Sequence, residues 1–264
     1  MHRIVNSIKI CVFLLAAICV GKTAIAQKNI AISDSLAANA EVLKVKMGSS
    51  FFGKMQKFKF GSYAVVSGKV GWTTTSSSGN FLETKTESKS AQKFSFVLTG
   101  GGTDLAKVNA ARNIQLQTHN SIRLFDNFTW GDDELLRQSM NFSAYISLNN
   151  DTSVSWVLIM RDVSGSETPG RYSAFLTDGR RRIQIFPASS ESNSKNTMLS
   201  GALGYEFAEN GHSLSALQYW GGGVFPLNRN IIWLNRSLDP QLKLVLSAAM
   251  VAILEMKVEE LEQQ

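Results

Sequence analysis

The sequence predicts an α+β fold that is mainly β: a large, curved antiparallel meander of roughly ten to twelve strands, barrel-like or half-barrel, packed on a buried C-terminal helix. Three observations carry this expectation. Apolar and polar residues alternate with period two in run after run between Lys57 and Asn235. Tight-turn pairs such as Asn149-Asn150, Asp178-Gly179 and Asn210-Gly211 separate the runs. Near the end, DPQLKLVLSAAMVAILEMK (residues 239–257) loses the alternation and is apolar in nearly every direction around a helix.

In chain order, residues 1–26 read as a cleaved signal peptide. His2, Arg3 and Lys9 give a positive start, ICVFLLAAICV (10–20) is the apolar stretch, and Ala24-Ile25-Ala26 is a small-x-small cleavage site before Gln27. The stretch falls short of the roughly 20 apolar residues that span a bilayer. Residues 27–41 are small and polar, expected as a flexible lead-in or a short helix. Residues 42–264 are expected to form a single sheet-rich domain.

Within that domain, KFKFGSYAVVSGKVGW places Phe58 and Phe60 on one side, lysines on the other, and runs on as a second strand. NFLETKTESK and KFSFVLT follow as two strands. TDLAKVNAAR comes after Gly100-Gly101-Gly102 and has Leu105 and Val108 at helical spacing, so a short helix is expected there. NIQLQTH and SIRLF are shorter strands. MNFSAYISL alternates cleanly, with Met140, Phe142, Ala144, Ile146 and Leu148 on one face. SVSWVLIMRDV is apolar on both faces in its middle, which predicts a central strand covered on both sides. RYSAFLT and RRRIQIF flank Asp178-Gly179, and LGYEFAE and HSLSALQYW flank Asn210-Gly211. A two-residue turn there pairs Phe207 with Leu214 and Tyr205 with Ala216. RNIIWLN reads as the last strand.

Asp239 is a good N-cap and Pro240 suits the first helical position, so the terminal helix is expected over 240–262. Its uncharged core, Leu244 to Leu254, is too short to cross a bilayer, so no transmembrane helix is expected in the mature chain. Ala248, Ala249 and Ala252 share a flank that permits close approach to a sheet, and only the tail EELEQQ is expected in water. A lipid-embedded barrel is the competing architecture; it requires apolar outward bands and a closing strand.

Composition narrows the function classes. Cys11 and Cys19 both leave with the signal, so disulfides, a cysteine nucleophile and Cys-ligated zinc drop out together. Thiol-free export favours a bacterial periplasm or cell exterior. Arg3, Lys9 and Lys22 leave and no acid does, so the formal charge of +6 falls to +3. That mild balance gives no reason to expect a nucleic-acid partner.

No motif fixes a reaction, and no catalytic residue, metal site or cofactor is expected. His119 and His212 have no ligand spacing to an acid. GHSLS (211–215) approaches a nucleophile motif but opens a strand where that motif needs a helix. Asp132, Asp133 and Glu134 group as calcium ligands or acid–base carboxylates do, and equally as the acidic start of a helical turn. The better candidates are for binding. Arg180 and Arg182 share one face of a strand and suit a carboxylate, sulfate or phosphate; the plain alternative is a solvated hairpin tip. Tyr219 and Trp220 end a strand before Gly221, Gly222 and Gly223, which suits a ligand platform; the plain alternative is that Trp220, Phe225 and Trp233 cap the buried helix.

The expected function is therefore an exported, non-catalytic binding or envelope-associated protein. Its partner would be an apolar, glycan or peptide ligand, or an envelope protein. A secreted hydrolase using the acidic group or the His212–Ser213 pair, and a structural part of a cell-surface assembly, are the alternatives.

Overall fold

A computed structural model describes residues 29–48, 54–79, 85–119, 122–125, 128–130, 134–149, 151–164, 171–190, 202–220 and 230–262. The segment read as a signal peptide, Asp132, Asp133, Gly221 to Gly223 and Phe225 lie outside the described residues.

Alternation becomes strand almost throughout. The chain runs β1 (Ala40–Lys44), β2 (Lys46–Met47), β3 (Phe58–Phe60), β4 (Tyr63–Val70), β5 (Thr74–Gly79), β6 (Lys85–Thr99) and β7 (Leu105–His119). A small separate pair, β8 (Ile122–Phe125) and β9 (Phe128–Trp130), precedes β10 (Glu134–Leu148) and β11 (Asp151–Ser164). Then come β12 (Arg171–Thr177), β13 (Arg182–Ala188), β14 (Gly204–Glu209), β15 (His212–Gln218) and β16 (Ile231–Asn235). The helices are α1 (Asp34–Asn39) and α2 (Pro240–Glu262).

Fourteen strands make one antiparallel sheet, in the order β1-β16-β15-β14-β13-β12-β11-β10-β7-β6-β4-β3-β2, with β5 also on β6. The two ends of this path are neighbouring pieces of chain. β1 pairs with β16 and β2 with β3, and only Val45 separates β1 from β2. Even there the Val45 N–H donates to the Asn230 carbonyl at 2.9 Å. The sheet thus curls into a nearly closed barrel, which removes the edges that would otherwise invite strand addition. β4 and β5 likewise lie end to end along β6. Counting each interrupted run as one strand turns fourteen into twelve, the top of the expected range.

α2 fills the barrel. Asp239 caps it, its Oδ1 accepting from the Leu242 N–H at 2.8 Å. Leu246, Ala248, Ala249, Met250, Val251, Ala252 and Ile253 have no exposed surface. A helix apolar on every side has no stable place in water, and the inward residues of the strands supply the missing partners. Phe96, Val108, Phe142, Leu158, Leu176, Ile183, Phe207 and Leu234 meet it in one core. α2 packs closest on β6, β7 and β10. A second, smaller core lies outside the wall, where Leu36 of α1 joins Ala40, Ala188, Ala216, Ile231 and Trp233.

Several expectations are corrected. TDLAKVNAAR is not a helix; it enters β7, with Ala106, Val108 and Ala110 pointing inward. Small inward residues let the wall approach α2, and this tertiary demand overrides the local helical spacing. NFLETKTESK and KFSFVLT are not separate strands, since residues 85–99 form one β6. SVSWVLIMRDV is central in the sheet but covered on one side only, because Ile159 is exposed on the outward face. The Asn210-Gly211 hairpin begins as expected with Glu209 opposite His212, then slips by one residue. Phe207 faces Ser215 and Tyr205 faces Leu217, because a β-bulge lies between Ala208 and Phe207. Of the acidic group only Glu134 is described, and it opens β10 where a helical turn is expected. Trp233 does not cap α2; it points outward into the second core.

The outward face of the strands carries exposed Lys93, Lys107, Asn109, Asn113, Asn141, Ser143 and Gln184. Such a face is not the apolar band that a lipid-embedded barrel presents. Among the described residues, no helix is long and apolar enough to cross a membrane.

Candidate functional site at the barrel mouth

The two ends of the barrel differ. Tight turns gather at the end where α2 begins: Gly61, Asn149, Gly179, Asn210 and Gly211 take positive φ there, as hairpin turns require. Gly100, at the β6–β7 turn, lies against Leu244 near the start of α2. Arg112, midway along β7, reaches Met256 near the end of α2. The longer connections after β2, β7, β11, β13 and β15 leave from this second end, the mouth.

Where α2 ends, the inward wall turns polar. Gln92 of β6 and Arg112 of β7 are register partners, as are Asp162 of β11 and Tyr172 of β12. Tyr205 of β14 and Tyr219, just after β15, complete the wall, their rings 5.6 Å apart. Facing them, α2 brings Glu255, Lys257, Glu259 and Glu260. The tail EELEQQ is expected in water, yet Glu259 is buried and Glu260 is half-buried, and Glu255 just before it is buried too.

The ion pairs explain why. The Arg112 residue is 4% exposed; its Nη1 donates to the Met256 carbonyl at 3.1 Å and lies 3.8 Å from Glu260. It thereby satisfies a carbonyl in the last turns of α2, where cations are favoured. Lys257 Nζ donates to Glu260 at 2.7 Å and sits 5.3 Å from the centre of the Tyr219 ring. Burial raises the Asp162 carboxyl above its ordinary range, opposed by the nearby Lys257 ammonium. Burial likewise raises the Tyr172 and Tyr219 phenols, so both stay protonated donors at any physiological pH. Asp162 Oδ1, the Tyr172 hydroxyl and Gln92 Oε1 are buried and have no hydrogen-bond partner among the described residues. A ligand or water offering hydrogen bonds would satisfy them.

The predicted binding residues fall at opposite ends. Tyr219 and Trp220 stand at the mouth, where both backbone N–H groups donate to the Leu203 carbonyl at 3.0 and 3.1 Å. The Tyr219 hydroxyl donates to the Ala202 carbonyl, and Trp220 remains 37% exposed. Arg180 and Arg182 belong to the β12–β13 hairpin at the closed end. Arg180 is exposed, and the Arg182 guanidinium lies 4.0 Å from the centre of the Phe175 ring. Between them, Arg181 makes the firm contact, with Nε and Nη2 donating to Glu209 at 2.9 and 2.6 Å. That hydrogen-bonded pair holds the Glu209 carboxyl below its ordinary range.

Of the groups weighed for catalysis, His212 is exposed at its hairpin tip, and the Ser213 hydroxyl donates to Glu206. Glu206 also accepts from the Ser33 N–H at 3.0 Å, tying the segment before α1 to the wall. Among the described residues no group of three His, Cys, Asp or Glu side chains is placed to hold a metal ion.

Gln92, Arg112, Asp162, Tyr172 and Lys257 escaped sequence reasoning. Their signal is a polar residue at an inward position of an alternating strand, as Arg112 is after Ala106, Val108 and Ala110. It becomes readable only when the inward face is known. Comparison with family models, curated proteins and solved structures finds no match for this chain.

Proposed function

We propose that this chain is an exported, non-catalytic binding protein of the cell envelope that takes a hydrogen-bonding ligand, a glycan or a peptide, at the barrel mouth. The observation that supports this reading is the contrast inside the barrel. Among the described residues, the middle of α2 is fully buried against the inward side chains of the strands, which favours a ligand at the mouth over an apolar cargo beside the helix. The mouth retains buried, unmatched hydrogen-bonding atoms on Asp162, Tyr172 and Gln92, and the half-exposed Trp220 stands at the same end of the barrel.

Thermal-shift screening of the mature chain against glycan and peptide libraries tests it. A stabilising hit is expected whose effect falls when Trp220→Ala or Tyr172→Phe is introduced. A hit indifferent to both variants, or turnover of ester, peptide or glycoside substrates, would remove this reading. Export has its own check: expression in a Gram-negative host should yield a periplasmic product beginning at Gln27. The same burial of α2 also favours a scaffold in a surface assembly. Light scattering of the chain with envelope extract separates the two, because a scaffold requires a stable protein complex.

A further inference from the structure

Away from the mouth lies the outward face of the interrupted β4–β5 strand, β6, β7 and β10. We propose that this face is a docking surface for a carboxylated polysaccharide running along the strands. The inference does not rest on the mouth site.

Register fixes what the face presents. Lys69, Ser95, Asn109 and Tyr145 form one row across four strands, and Ser67, Val97 and Lys107 the next, which ends on the buried Ser147. Further rows towards the mouth carry Lys93, Lys89 and Arg137. All five cations are exposed. Register puts two described acids on this face: Glu87, which Lys89 already holds at 2.9 Å, and Glu134, in the row of Lys85 and His119 at the mouth end, so the cations still outnumber the acids. The excess positive charge attracts a polyanion. Lys89 and Lys93 stand four residues apart, about 13 Å along β6. Neutral amides and hydroxyls fill the spaces between cations. This pattern suits a polymer with separated carboxylates and many hydroxyls. It suits duplex DNA poorly, which presents one charge per roughly 1.7 Å of axis.

Two irregularities add contact surface. The bulge between Val65 and Ser67 leaves Val66 57% exposed, and beside it lies a groove of about 200 Å³ lined by Ser67, Lys69, Ser95, Val97 and Lys107. Trp72, at the break between β4 and β5, is 86% exposed. Burial is the normal state of such a ring, and the apolar face of a pyranose would cover it.

The test measures binding of the mature chain to polygalacturonate, with dextran and duplex DNA as comparators, over a range of salt concentrations. Polygalacturonate should bind and weaken with salt, and dextran should not bind. The double variant Lys93→Ala/Lys107→Ala should bind about tenfold more weakly with a shallower salt dependence. Trp72→Ala should weaken binding with its salt dependence unchanged. Because these side chains are exposed, melting temperatures should stay at the parent value, and Lys→Gln replaces any variant that melts early. Trp220→Ala, at the mouth, should leave polygalacturonate binding intact. The proposal is overturned if polygalacturonate does not bind, if dextran or DNA binds as tightly, if the Lys93/Lys107 and Trp72 variants bind like the parent, or if Trp220→Ala abolishes binding.

Discussion

At the scale of single residues, the interior is decided by a few charges placed among apolar neighbours. Arg112 answers both the Met256 carbonyl and the Glu260 carboxylate from a nearly dry position. Arg112→Met should therefore cost about 3 kcal/mol, read by urea denaturation, because a buried carbonyl and an acid lose their cation together. A cost within error of zero would mean that water already serves those groups. Asp162 supplies a pH signature. Its native pKa is raised by burial above the unfolded carboxylate value, so the folded chain binds more protons in the interval between the two. Stability from this group is present at low pH and is lost as pH rises through that interval. Asp162→Asn should match the parent in acid and gain on it towards neutrality, as measured by melting temperature against pH. Glu209 works in the opposite sense. Arg181 lowers its pKa, so its contribution is present above the unfolded value and lost on acidification.

At the scale of elements, α2 and the wall define each other. The helix was legible from Asp239, Pro240 and the uncharged stretch after Leu244, and its bounds match expectation. Ala248, Ala249 and Ala252 do lie buried, as close approach to a sheet requires. Ala249→Leu should cost about 1–3 kcal/mol by overpacking, measured as a fall in denaturation midpoint. A neutral result would place slack beside α2 and reopen the interior to a ligand. Leu105 and Val108 satisfy a helical spacing, yet in β7 residues three apart lie on opposite faces of the sheet. The choice went to Ala106, Val108, Ala110 and Arg112, whose alternation meets α2. The bulge in the β14–β15 hairpin was equally hidden, since a slip of one residue leaves no mark on turn chemistry.

At the scale of the whole molecule, closure depends on a short N-terminal run serving both ends of the sheet. β1 and β2 pair with β16 and β3 across a single intervening residue. A chain beginning at Gly48 loses that run together with α1, leaving two unpaired edges and uncovering Trp233. It should aggregate in size-exclusion chromatography where the longer chain elutes as a discrete species. A truncated chain with an unchanged elution volume and melting temperature would show that the barrel does not need the run to close.

By itself the sequence determined the long alternating strands, the tight turns at Asn149, Asp178-Gly179 and Asn210-Gly211, and that an all-apolar helix must be enclosed. These are local properties, written in residues a few positions apart. β1, β2, β5 and the start of β7 left no such mark. Only the tertiary structure decided that the lead-in strand joins the first and last strands, that the acidic tail is drawn inside, and that Arg112, Asp162, Tyr172 and Lys257 surround one mouth. Each depends on residues far apart in the chain meeting around a helix whose place no local pattern specifies, and desolvation inside the closed wall gives those meetings their energetic weight.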